Sequence, residues 1–332
     1  CDEELVELNA NLTELPFVIT GKFSKSFLSL PKEILSTCMK KNQKIFLLTD
    51  AQGRSKAEFA AVLNGRKNDL PKIVEDYRGV LEARLRDSEF FYAEDTKEPL
   101  EKKVPRLKDI IFLGKLGNIE EKIGRMAGLA EGLAKSLELS EEEKENLKRA
   151  CFLCKADLLT QMVYEFPELQ GIMGREYARV NGEKEEVARA IAEHYLPKQL
   201  AQSYEDLREE QTKSGALLAI LDKIDTLVGA FGIGLEPTGS HDPYALRRAG
   251  GGIVKILRTF RYPLDLQELI SQAIGLYGTR LTQPAEAIAK ALERFFKERA
   301  VFELGIKAGS KEDEILKAVF GTAWSNISGV FL

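Results

Sequence analysis

A change of periodicity near Asp69 restricts the fold of this chain more than any other feature. Before it, short β-like runs at 17–19, 44–48 and 58–63 alternate with glycine and asparagine breaks, the pattern of strands joined by turns. After it, apolar residues recur at helical spacing. Pro71 stands where a first helical turn tolerates proline, and Ile73, Tyr77, Val80, Leu81, Leu85 and Phe90 or Phe91 follow. A further helix is predicted from Ser140, which has the spacing of a capping box with Glu143. Leu147, Ala150, Cys151, Cys154, Leu158 and Met162 continue it as one apolar stripe, which Pro167 should interrupt or end. Beyond Tyr262, three helical stretches at 264–277, 284–301 and 310–319 are separated by Gly278 and Gly309. The expectation is a mainly α protein with a smaller N-terminal α/β part, whose final stretch, TAWSNISGVFL, is apolar enough to pack against something.

Composition narrows the function classes. A chain of 332 residues, 44% hydrophobic and 30% charged, can bury a sizeable core and is long enough for about two or three domains. No apolar run approaches the ~20 residues that span a bilayer, and the acidic start CDEEL lacks the basic and apolar regions of a signal peptide, so no membrane role and a cytoplasmic location are expected. Without a secretory context the four cysteines should be free thiols. Cys151 and Cys154 form a CxxC, but they are expected to share a helix, and no second CxxC or nearby histidine completes four zinc ligands. They read as small core residues.

Only two histidines are present, so an imidazole-rich metal site cannot be assembled. His241-Asp242 follows the loop GIGLEPTGS and precedes a proline, which places it in a turn. His194, in AEHYLPKQ, reads as a packing or hydrogen-bonding residue near a helix end. Asp222 and Asp225 neighbour one another on a helix, beside Lys223 and with no nucleophile placed by sequence; they read as a cap or salt-bridge set rather than an acid/base pair. Neither Gly232-Ile233-Gly234 nor Gly250-Gly251-Gly252 has the context of a nucleotide-binding loop.

A net charge of −4 does not favour nucleic acid, so any such surface must come from local clustering of the 48 basic residues. If 243–261 is a helix with Asp242 as its N-cap, Arg247, Lys255, Arg258 and Arg261 fall within an arc of about 120°, with Arg248 adjoining and Leu246, Ile253, Ile256 and Leu257 on the other side. This predicts a basic stripe over an apolar floor. Three glycines inside that helix, each costing about 1 kcal/mol against alanine, put its continuity in question unless they admit another backbone closely.

Four long runs carry a resemblance: LPKEILSTCMKKNQKIFLLTD (30–50), the run from VLEARLRDSEFFYAEDTKEPL to GNIEEKI (80–123), CKADLLTQMVYEFPELQGIMGREYA (154–178) and LLAILDKIDTLVGAFGIGLEPTGSHDPYALRRA (217–249). Together they resemble the β subunit of the bacterial two-subunit glycyl-tRNA synthetase, over most of the chain. The resemblance implies tRNA(Gly) binding and assembly with a catalytic α subunit in a hetero-oligomer. Adenylate chemistry, with ATP and Mg as substrates or cofactor of the complex, then lies outside this chain, which contributes no catalytic residue, cofactor or metal. It also implies a central piece of a longer subunit, with an N-terminal portion and an anticodon-binding domain elsewhere.

The implied organisation is an α/β domain at 1–74, a helical connector at 75–139, a helical domain related to HD phosphohydrolases at 140–262, and a C-terminal helical segment at 263–332. In HD enzymes His and Asp residues hold a metal that activates water. The matching positions here carry Lys155, Ala156 and Asp157, then Asp222 and Asp225, so Asp157 and Asp222 would be relics of ligands. A D-P-ALRR motif of the family is matched by Asp242, Pro243, Ala245, Leu246, Arg247 and Arg248. Further candidates for tRNA contact are Arg175, Lys155, and the pair Arg84 and Arg86 with Tyr92 nearby for stacking. Two competing readings are a metal-dependent HD phosphohydrolase acting on nucleotides or RNA ends, and a structural dimerisation core without RNA contact.

Overall fold

The computed structural model describes residues 2–65, 69–114, 116–307, 310–326 and Gly329. It is mostly helical with one small sheet, and it divides into two compact units.

The first unit comprises Cys1–Glu98 and Thr160–Glu176. Its antiparallel sheet is formed by β1 (Pro16–Lys22), β2 (Phe46–Thr49) and β3 (Ser55–Asn64), in the order β1-β3-β2, with Val18 opposite Val62 and Phe46 opposite Ala60. Phe59, Ala61 and Leu63 are buried while Glu58, Ala60 and Val62 between them are less so, the period of two that fixes strand register. The β2–β3 turn is held by Asp50, whose carboxylate accepts from the amides of Gln52 (3.0 Å) and Arg54 (2.9 Å). Helix α1 (Glu3–Leu12) is capped by Asp2 at the Leu5 amide, 2.9 Å. Helix α2 (Lys32–Gln43) buries Ile34, Leu35, Cys38 and Met39. The long α3 (Leu70–Thr96) has Pro71 in its first turn, as its sequence predicts.

The second unit comprises Pro99–Leu159 and Tyr177–Leu332. Its main helices are α4 (Ile119–Ser136), α5 (Glu141–Leu153), α6 (Glu185–Glu193), α7 (Lys213–Gly232), α8 (Leu246–Phe260), α9 (Leu266–Tyr277) and α10 (Ala285–Leu304), followed by α11 (Lys311–Ala323). Capping boxes start α4 (Asn118 with Glu121) and α5 (Ser140 with Glu143). Helix α7 is apolar on every side from Ala216 to Leu221 and packs against α4, α5, α6, α8, α9 and α10, which makes it the core of the unit.

Three local expectations need correction. The single stripe running to Met162 is broken: α5 stops at Leu153, Leu158 lies in the 3-10 turn Ala156–Leu159, and Met162 lies in the separate helix Gln161–Glu165. A new helix start causes the break, because Asp95 accepts from the amides of Gln161 (2.9 Å) and Met162 (3.0 Å), and Thr160 caps Val163 (3.3 Å). Pro167 then opens a further 3-10 turn rather than ending a long helix. Second, α8 begins at Leu246 and not at Pro243. Ala245 takes a left-handed φ of 53°, and Asp242 reaches forward to the amides of Leu246 (2.8 Å) and Arg247 (3.0 Å). Third, α8 runs unbroken through its glycines, which admit side chains and not another backbone: a Cβ on Gly250 would stand 2.4 Å from Phe295, and one on Gly251 2.9 Å from Leu200. Within the apolar terminal stretch, Ile327, Ser328 and 330–332 lie outside the described residues.

Candidate functional site

Two features of the second unit gather sequence-predicted site residues: a buried charge network around α7 and the arginines at the start of α8. The network begins with Lys122 and Arg125, one turn apart on α4, facing Asp222 and Asp225, one turn apart on α7. Arg125 holds Asp225 with two bonds (Nε–Oδ1 2.6 Å, Nη2–Oδ2 3.1 Å). Tyr277 of α9 completes this half, its hydroxyl donating to the Asp225 carbonyl (2.8 Å) and lying 3.1 Å from the carboxylate. The Lys122 ammonium reaches Asp225 Oδ2 (3.1 Å), Asp222 Oδ1 (3.2 Å), the Asp222 carbonyl (2.9 Å) and Thr226 Oγ1 (2.9 Å).

On the other side of Asp222 stands Lys155, 3.2 Å from Oδ1. Its ammonium also lies 2.7 Å from His194 Nε2 and 4.6 Å above the Tyr195 ring. His194 Nδ1 faces the Ile191 carbonyl at 2.6 Å, so Nδ1 carries the proton and Nε2 accepts from Lys155. Burial and the Lys155 ammonium both push the imidazole well below its ordinary pKa. Burial alone would raise the Asp222 carboxyl, but Lys122 and Lys155 hold it well below the usual carboxylate range. Lys223 points along the same edge and donates to the carbonyls of His194 (2.8 Å) and Leu196 (3.0 Å); burial lowers its ammonium to about 8. Burial raises the Cys154 thiol to about 12, and Cys151 is buried beside it.

These residues do not fit a divalent metal. Asp222 is taken by two ammoniums, Asp225 by a guanidinium, an ammonium and a phenol, and His194 by Lys155. Among the described residues no three His, Cys, Asp or Glu side chains are arranged to hold a metal ion. His241 stands apart in an exposed turn closed by bonds between Thr238 and His241 (2.7 and 3.1 Å).

The sequence-predicted cations are dispersed. Lys155 is buried in the network just described. On α8, Lys255 turns inward, donating to the Leu200 carbonyl (2.6 Å) and lying 3.7 Å from Glu303 of α10. Arg258 is drawn to the same place: it bonds the Tyr204 hydroxyl and, at 3.1 Å, the Glu303 carbonyl. The expected stripe is thereby interrupted in its middle. Arg247 and exposed Arg248 remain at the N-terminal end of α8, and exposed Arg261 at its C-terminal end, about 20 Å away at 1.5 Å per residue. In the first unit, Arg84 and Arg86 are exposed on α3, 3.9 Å from Asp87 and Glu82 respectively, and Arg175 pairs with Glu33 (2.7 Å) and Glu176 (2.8 Å). Tyr92 is half-buried on α3.

Sequence reasoning missed Lys122, Arg125 and Arg299. For the first two a signal was present: they interrupt the apolar face Ile119, Ile123, Met126 and Leu129 of a strongly amphipathic helix, where a cation requires a buried anion opposite.

The sequence model of a family described as glycyl-tRNA synthetase beta subunit matches residues 1–321. The chain belongs to that family. Among its glycyl-tRNA synthetase beta-subunit relatives, the glycine–tRNA ligase beta subunit of Desulforamulus reducens is 44% identical over 300 residues, 90% of this chain and 42% of the relative. That of Geotalea daltonii is 43% identical over 326 residues, 98% of this chain and 46% of the relative. That of Desulforudis audaxviator is 45% identical over 298 residues, 90% and 43%. The chain thus spans less than half the length of these curated glycyl-tRNA synthetase beta-subunit relatives. Among the described residues no helix is long and apolar enough to cross a membrane.

Proposed function

We propose that this chain is the part of a glycine–tRNA ligase beta subunit that binds and positions tRNA(Gly) and assembles with a catalytic α subunit in the cytoplasm. The observation that carries the reading is the family match over residues 1–321. ATP, Mg and glycine are handled by the α subunit, and this chain acts by placing the tRNA backbone so that the 3′ end reaches that site. Lys155, Ala156, Asp157 and Asp222 mark where an HD-type ancestor held its metal. The ammonium–carboxylate network around Asp222 supports a structural role for that region in place of phosphate-ester hydrolysis. Arg247, Arg248 and Arg261 are the α8 cations left available to phosphate.

The test is reconstitution: the full-length beta subunit that contains this chain, mixed with its α subunit, ATP, glycine and tRNA(Gly). Glycylation that requires both subunits is expected. Absence of glycylation from the folded, assembled pair would contradict the reading, as would phosphatase activity abolished by Asp157→Ala.

A further inference from the structure

Arg299 of α10 was not singled out by the sequence, yet among the described residues no carboxylate forms an ion pair with it. Its guanidinium lies 5.7 Å from the ring centroids of both Phe295 and Phe302, and its Nε is buried with no hydrogen-bond partner among the described residues. Other arginines of the second unit are satisfied by carboxylates: Arg125 by Asp225, Arg149 by Glu183, Arg280 by Glu121 and Arg294 by Glu236. Arg299, Arg247 and Arg248 have no such ion pair among the described residues.

The packing of α8 on α10 brings two of these together. Phe295 seats on the bare backbone of Gly250. Arg247 lies one turn before Gly250 on α8, and Arg299 one turn after Phe295 on α10, so both flank the same contact. Burial lowers the Arg299 guanidinium from its ordinary pKa, and the charge of Arg247 acts in the same direction while Glu298 and Asp242 oppose it. Asp242 has its two oxygens committed to the amides of Leu246 and Arg247. Arg299 is only half-buried, and of its guanidinium nitrogens Nε alone is sealed off, so its outer nitrogens and the Arg247 guanidinium, neither ion-paired among the described residues, can take an added oxyanion, and paired guanidiniums match the geometry of a phosphate. Tyr244, 45% exposed and three residues before Arg247, adds an accessible ring face.

We propose that Arg299 and Arg247 clamp one phosphate of a single-stranded segment of RNA, with Tyr244 stacking on an adjacent base. This rests on the tRNA-positioning reading above and names the site and the RNA form it takes. Electrostatics sets the affinity, and the aromatic face selects an unpaired base over a double helix.

The experiment uses the full-length beta subunit with its α subunit and compares wild type with Arg299→Met, Arg299→Lys and Tyr244→Ala, the Met variant keeping the contact with Phe295 and Phe302. Affinity for tRNA(Gly) is measured across a salt series, with thermal unfolding and glycine-dependent ATP–pyrophosphate exchange as controls. Arg299→Met is expected to weaken tRNA binding about tenfold and to lower the salt slope by about one, Arg299→Lys to fall between, and exchange to stay at the wild-type rate. Tyr244→Ala is expected to weaken binding with the slope unchanged. Wild-type affinity and slope in a folded Arg299→Met complex would overturn the proposal while leaving tRNA positioning intact. Failure of the wild-type complex to bind tRNA would overturn both.

Discussion

At the scale of residues, the second unit is organised by a small set of buried charges whose partners are held by separate helices. Asp225 answers Arg125 and Lys122 while fully buried, so removing the carboxylate strands Arg125 in the core and leaves Lys122 to Asp222. Asp225→Ala is therefore expected to cost about 3–5 kcal/mol in urea unfolding; a loss under 1 kcal/mol would mean the network is hydrated or dispensable. His194 supplies a pH dependence. Its folded pKa is depressed, so below the unfolded value near 6.5 the unfolded chain binds the extra proton, and the stability that His194 contributes above that pH is lost as acidity increases. Unfolding free energy should fall from about pH 6.5 downward, and His194→Gln should flatten that slope between about pH 6.5 and 5. An identical slope in the variant would remove His194 as its source. Asp222 and Asp225 were legible as a salt-bridge set from their spacing beside Lys223. Their main partners were not, because Lys122 and Arg125 are about a hundred residues away in sequence and only the packing of α4 on α7 joins them.

At the scale of elements, α8 shows what a helical projection can and cannot deliver. The apolar floor of Ile253, Ile256 and Leu257 is buried as projected, yet Lys255 and Arg258 on the opposite arc are claimed by Tyr204, Leu200 and Glu303. A projection assigns a direction; the neighbour in that direction comes from α10 and the segment before Tyr204. The glycines follow the same logic. In a free helix Gly250→Ala would be favourable by about 1 kcal/mol, but here the new methyl meets Phe295 at 2.4 Å, so a net destabilisation of about 1–3 kcal/mol is expected, relieved in Gly250→Ala/Phe295→Leu. Calorimetry of the two variants checks this, and additive losses would show that Phe295 is not the obstacle. Helix starts were legible where the cap is local, as at Ser140 and Pro71. They were lost where the cap comes from afar, as with Asp95 at Gln161, or where the carboxylate reaches several residues along the chain, as with Asp242 at Leu246.

At the scale of the whole molecule, the chain carries more acidic than basic residues, and many of its arginines and lysines are ion-paired, some within one helical turn and others with carboxylates from distant segments. The tRNA contact proposed above therefore falls to cations without an ion pair among the described residues, such as Arg247 and Arg248. Composition alone could not locate them; family resemblance pointed to Arg247 and Arg248, and packing added Arg299. The proposed role is the holding of tRNA by fixed cations within a glycylating complex, in place of chemistry at the buried aspartates. The most direct test is the salt dependence of tRNA(Gly) affinity for the assembled α and full-length beta subunits, wild type against Arg247→Ala/Arg248→Ala. A fall of about two in the slope of log K against log salt, with thermal stability preserved, is the expected result. An unchanged slope and affinity would place the tRNA elsewhere and contradict the account.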